Sequence, residues 1–141
     1  MQRKATFINR ADVPVILQRE PQECGAAALA MIASFYGKTI TWKELLSETI
    51  NENGICSAAS LVRSASKHSF DAHGYKKEAI QLRGMEMPCI LHWNFNTFVV
   101  LEGFEDNRVY VIDPSCGRKV ISFEELSDSF TGIILTARPK E

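Results

Sequence analysis

Apolar residues follow two regimes along the chain: helical spacing as far as Ala65, then short β-branched or aromatic runs from Phe70 onward. Residues 24 to 36, rich in Ala, Leu, Met and Ile, predict a helix, with Gly37 as its C′ residue because glycine tolerates positive φ. Thr41-Trp-Lys-Glu44 reads as a capping box opening a second helix, which ends near Ile50 before the turn-prone Asn51-Glu-Asn-Gly54. Ser57 caps a third, in which Ala58, Leu61, Val62 and Ala65 recur at helical spacing. Strands are then predicted at 70–75, 88–93, 98–104, 109–112 and 133–136, and Ser122-Phe-Glu-Glu125 is a further capping box before the last of them. The middle gaps, Asn94-Phe-Asn96 and Glu105-Asp-Asn107, are too short for crossover helices, so the strands pair as antiparallel hairpins. Helices followed by an antiparallel sheet make an α+β domain.

Composition narrows the function without naming it. The chain has 141 residues, 45% hydrophobic and 23% charged, which fits one globular domain with a core of useful size. A net charge of -1 and no dense Lys/Arg cluster argue against nucleic acid or an anionic membrane surface as partner. The longest apolar run, around Ala26–Tyr36, is shorter than the roughly 20 residues of a membrane span. No apolar segment follows the charged N-terminus, so a cytosolic protein is expected. The four cysteines include no Cys-x-x-Cys pair, and with only three histidines a structural metal, a disulfide framework and a cofactor are all unexpected.

The chemistry concentrates on Cys24. It stands where the first helix begins, and a thiol there meets unpaired backbone N–H groups and the positive end of the macrodipole, both of which favour the nucleophilic thiolate. Asp113 ends a strand in Val-Ile-Asp-Pro and can orient a base, while the Gln18 amide, six residues before Cys24, can reach an oxyanion. Each has a plainer reading: Cys24 as an inert core thiol, Asp113-Pro114 as an ordinary turn.

Taken together, Val13-Pro-Val-Ile-Leu-Gln18, Glu23-Cys-Gly-Ala-Ala-Ala-Leu-Ala-Met31, Tyr75-Lys-Lys-Glu78, Pro88-Cys-Ile-Leu-His-Trp-Asn-Phe-Asn96, Phe98-Val-Val-Leu-Glu-Gly-Phe104, Asp113-Pro114 and Ser129-Phe-Thr-Gly132 form a specific pattern. It resembles the N-terminal cysteine peptidase domain of peptidase-containing ABC exporters, which process bacteriocin-like precursors after a double-glycine leader, and in particular the branch handling nitrile-hydratase-like leaders. The resemblance implies a papain-like fold over residues 13–137, with 1–12 an N-terminal tail and 138–141 the start of a linker to a transporter. It implies Cys24 as nucleophile, Gln18 as oxyanion glutamine and Asp113 as the residue orienting the base. The implied partners are a precursor's leader peptide and the transmembrane and ATPase domains of the exporter, at the inner face of the cell membrane.

One position departs from the pattern. Where the family carries its catalytic histidine, just before Phe-Val-Val-Leu, this chain has Thr97, whose hydroxyl cannot shuttle a proton near neutral pH. His92 is the nearest substitute: a two-residue loop at Asn94-Phe95 would pair 92 with 97 on one face, whereas a three-residue loop pairs 92 with 98. His68 and His73 read as solvated or structural. Three functions follow: a leader-cleaving endopeptidase with turnover in doubt, a catalytically impaired domain that binds leader or precursor for export without cutting it, or a chiefly structural domain of the exporter.

Overall fold

The structure, a computed structural model, describes residues 7–140. Its chain order is β1 (Ile8–Arg10), α1 (Cys24–Phe35), α2 (Trp42–Thr49), α3 (Ala58–Lys67), β2 (Phe70–Lys76), β3 (Cys89–Trp93), β4 (Thr97–Glu105), β5 (Arg108–Asp113), β6 (Gly117–Ser122), α4 (Phe123–Ser129) and β7 (Phe130–Pro139), with 3₁₀ turns at Pro21–Glu23 and Ala79–Gly84. The expected α+β order therefore holds, with helices α1 to α3 ahead of most of the sheet.

Local chemistry sets the helix ends. Thr41 accepts the Glu44 N–H, Ser57 and Ser60 cap each other's backbone, and Ser122 and Glu125 form a reciprocal box. α1 closes in a Schellman turn: the Lys38 N–H reaches the Ala33 carbonyl at 2.9 Å while Gly37 takes φ +74°. Because α1 is apolar on nearly every side it is largely buried, with only Ala30, Ser34 and Phe35 partly exposed, and it packs between α2 and α3 on one side and β4 on the other.

The sheet is antiparallel throughout, in the order β2-β7-β3-β4-β5-β6, and β1 adds a further pairing to β4. β4 bulges between Leu101 and Gly103, and Gly103, at φ +143°, lies so close under β1 that a Cβ would run into the Asn9 carbonyl oxygen. The sheet separates two cores. Phe98 and Val100 of β4 pack with α1, whereas Val99 and Leu101 face a second cluster closed by Leu126 of α4 and Leu82.

Several expectations need correction. The proposed tail at 1–12 is not all tail: Met1–Thr6 lie outside the described residues, but Ile8–Arg10 pairs with Gly103–Glu105 and the Ala11 N–H bonds the Glu102 carbonyl at 2.8 Å. The proposed linker at 138–141 begins inside β7, where Arg138 and Pro139 pair with Asp71 and Phe70, while Glu141 lies outside the described residues. β6 was not expected: it is an edge strand with solvent-facing Arg118, Lys119 and Val120, so it lacks the apolar run that marks a strand buried on both faces.

Candidate active site

Cys24 is the first residue of α1, 5% exposed, and shares a buried cluster with Val13, Phe98 and Val100. The single 3₁₀ turn before it is held by Glu23, itself only 8% exposed, whose Oε1 accepts the Arg19 and Glu20 N–H groups, each at 3.1 Å. That carboxylate folds residues 19–23 back onto the start of α1. Gln18 precedes this loop, and its own N–H donates to the Pro114 carbonyl at 2.8 Å. The segment carrying the candidate oxyanion donor is thus fastened beside the end of β5.

The thiol has a neighbour. A Cβ on Gly25 would run into the Cys56 sulfur, so Cys56 is packed against the turn that holds Cys24. Burial pushes the Cys56 thiol up to about 11, which keeps it protonated and unreactive at neutral pH. Cys89, fully buried, is shifted upward by the same cause. All four cysteines are free thiols.

Asp113 closes β5. Its Oδ1 accepts the Ser115 N–H at 2.9 Å and the Ser115 hydroxyl at 2.7 Å, and the Lys119 ammonium stands 3.5 Å from Oδ2. Partial burial raises its pKa, but these hydrogen bonds and the Lys119 charge outweigh burial and hold the carboxyl below its ordinary value. Val100 pairs with Ile112, and one further step of that register sets Val99 opposite Asp113. Thr97 then lies on the same face of the neighbouring strand, one diagonal step from Asp113. Diagonal neighbours are about 7–8 Å apart, within reach of a long or aromatic side chain but not of a threonine. A cavity of about 250 Å³ opens beside Asp113, between Trp93, Val99 and Val111 of the sheet and Glu125 of α4.

His92 does not join this pair. Trp93 pairs with Thr97 and His92 with Phe98, so the loop is the three-residue Asn94–Asn96, with Asn94 and Phe95 at φ 52° and 62°. His92 therefore shares the face of Phe98, its ring 5.1 Å away, and its Nδ1 lies 2.9 Å from the Thr131 hydroxyl. Burial lowers its pKa. Among the described residues no hydrogen bond joins it to Cys24 or Asp113. His73 pairs with Asp71 on the edge strand β2, and His68 with Glu48 between α2 and α3. Glu44, Glu48 and His68 gather their polar atoms within 4.8 Å, but Lys67 and Ser64 also engage Glu48, so the cluster is a polar staple between helices.

Residues 12–141 match the profile of the Peptidase C39 family. The chain belongs to that family. Its C39 domain is 39% identical over 131 residues to the probable microcin-H47 secretion/processing ATP-binding protein of Escherichia coli, covering 92% of this chain and 19% of the relative. It is likewise 39% identical over 128 residues to the colicin V secretion/processing ATP-binding protein of the same species, covering 90% of this chain and 18% of the relative. The chain thus spans about a fifth of the length of these relatives. Among solved structures it superposes on a double-glycine motif protease from an AMS/PCAT transporter in complex with a leader peptide, at TM-score 0.90 and 38% identity, covering 97% of this chain and 100% of the other. The fold is accordingly the papain-like one of C39 peptidases.

Within the C39 domain, then, Gln18 is joined to the residue after Asp113 through the Pro114 carbonyl, Thr97 shares a face with Asp113, and His92 lies on the opposite face beside Phe98. The backbone clamps are not legible in the sequence, because Glu23 and the Pro114 carbonyl act on main-chain N–H groups. Glu102 is missed as well, although a lone carboxylate inside Phe98-Val-Val-Leu-Glu-Gly-Phe104 is a visible anomaly.

Proposed function

We propose that this C39 domain recognises double-glycine leader peptides of exported precursors and presents their scissile bond to Cys24, with hydrolysis strongly slowed by Thr97. The observation that carries the reading is the hairpin register: position 97, on the face of Asp113, holds a threonine, while His92 lies on the face of Phe98 with its Nδ1 against the Thr131 hydroxyl. Attack by the Cys24 sulfur forms an S–C bond while the carbonyl oxygen gains charge, which the Gln18 amide is placed to receive in this reading. The amide leaving group then needs a proton, and no imidazole stands at position 97 to deliver it.

Leader binding does not depend on that proton. An apolar groove of about 500 Å³ runs between Ala58, Ala59 and Val62 of α3 and Ile133 and Leu135 of β7, on the helix whose Leu61 packs against Gly25. Its lining suits the apolar face of an amphipathic leader helix. The comparison protein that shares 38% identity was solved with a leader peptide, which supports the same class of ligand for this chain. The relatives are named secretion/processing ATP-binding proteins, which supports a place for this domain in an ABC exporter; in this reading it works at the inner face of the membrane. No described helix is long and apolar enough to cross a membrane itself.

Incubation with a panel of double-glycine precursors tests the reading, with calorimetry for binding and mass spectrometry for products. Saturable binding with little or no cleavage is expected. Rapid cleavage after Gly-Gly by the wild-type chain overturns the impairment; no binding to any precursor overturns leader recognition.

A further inference from the structure

Glu102 is fully buried in an otherwise apolar strand, and nothing in the reaction uses it. Its Oε2 accepts the Val13 N–H at 2.9 Å and Arg118 Nη2 at 2.8 Å, while Oε1 accepts Arg118 Nε at 2.7 Å. Arg118 Nη2 also donates to the Val13 carbonyl at 2.7 Å. Both backbone polar groups of Val13 are therefore held by one ion pair. Replacing a buried ion pair by apolar residues is often neutral or stabilising, so stability alone gives little reason to keep one; what this pair fixes is the position of Val13.

That position matters because of where the strap leads. Residues 13–18 are gripped twice by the same β5–β6 hairpin: Arg118 takes Val13, and the Pro114 carbonyl takes the Gln18 N–H. Pro14, with its fixed φ, follows the first grip directly. We propose that Glu102 and Arg118 are positioning residues for Gln18, setting through Val13 the register at which its amide meets the oxyanion site. This role rests on the functional reading above.

The probe is a synthetic double-glycine leader ending in an aldehyde, compared with the same peptide ending in a primary alcohol. The Cys24 thiol adds to the aldehyde: an S–C bond forms, the C=O π bond breaks, and the thiol proton ends on the new hydroxyl. The adduct oxygen occupies the oxyanion site, so the ratio of alcohol to aldehyde dissociation constants reports the S–C bond together with the Gln18 contact, and the part lost in Gln18→Ala is the share due to Gln18. Wild-type protein is expected to prefer the aldehyde, and Gln18→Ala to lose about tenfold or more of that preference. Glu102→Gln and Arg118→Lys are each expected to lower the ratio about fivefold or more, with alcohol affinity unchanged within about twofold. In the Gln18→Ala background the same changes should cost nothing further, because they act through that side chain. Arg118 is partly exposed, so Arg118→Lys keeps the test open where Glu102→Gln does not fold. A folded Arg118→Lys protein with the wild-type ratio overturns the proposal, as does an undiminished loss on top of Gln18→Ala. Wild-type protein that binds both peptides alike overturns instead the functional reading, and is recognised before any variant is made.

Discussion

The two halves of the candidate site are built on different principles. The half at the start of α1 is held by backbone: Glu23 caps Arg19 and Glu20, Pro114 holds Gln18, and the helix itself places Cys24. The half at the tips of β4 and β5 depends on which side chains stand at 97 and 113. Threonine at the first position of a strand costs the fold nothing, since a β-branched residue suits the pleated backbone. A domain of this design can lose its base while keeping its shape and its ligand surface, because folding and chemistry draw on separate residues.

The largest effect that would break this contrast is repair of the second half. Thr97→His is expected to raise cleavage of a bound double-glycine precursor by about 10²–10⁴-fold, the usual contribution of a positioned acid–base group, followed by product mass over time. No gain would mean that the first half is also defective. The same substitution should accelerate iodoacetamide labelling of Cys24 near neutral pH, whereas Thr97→Ala should leave labelling unchanged.

Next in size is a change that strikes the first half without touching the second. Gly25→Ala drives a methyl group into the Cys56 sulfur and is expected to cost about 1–3 kcal/mol in urea unfolding. Cys56→Ala in the same chain should return most of it, because the severe contact is with that sulfur and only the Leu61 methyls, at 3.2 and 3.3 Å, remain close. An unshifted midpoint for Gly25→Ala would show that the turn beneath Cys24 is looser than its packing indicates.

Ligand binding should move independently of both. Val62→Asp, in the apolar groove, is expected to weaken leader binding about tenfold by calorimetry, through burial of a charge against Leu135 and Ala58, with Cys24 alkylation unaltered. Equal binding by the variant would place the leader elsewhere.

The smallest effect is one of pH. The Asp113 carboxyl is held below its ordinary value in the fold, so it contributes stability above the unfolded carboxylate range, about pH 4, and loses it as pH falls through the folded value. Asp113→Asn should therefore lower Tm on the neutral plateau and change it little at the acid end, so that the acid limb becomes flatter. An unaltered acid limb would mean that the Ser115 and Lys119 contacts do not persist in solution.

How far the sequence carried the fold follows from how local each signal is. The capping residues Thr41, Ser57 and Ser122 declare their helices because donor and acceptor lie three residues apart. β1 and β6 escape notice because Ile8-Asn-Arg is short and Arg118-Lys119 is polar, and both become strands only through partners far along the chain. The candidate site divides the same way. Cys24 and Asp113 stand at element ends that periodicity can find, whereas the grip of Arg118 on Val13 spans a separation of 105 residues and leaves no local trace. The loop length at 94–96 was undecidable because it turns on positive φ at both Asn94 and Phe95, and phenylalanine does not advertise that conformation.

That three-residue hairpin loop also bears on how this lineage can change. A slip to a two-residue Asn94-Phe95 loop would set His92 opposite Thr97, yet it would turn Cys89 and Leu91, or Val99 and Leu101, out of the core and into solvent or against α1. Loop rearrangement is therefore closed as a way to bring an imidazole opposite position 97, whereas a substitution at 97 leaves the strand pairing intact.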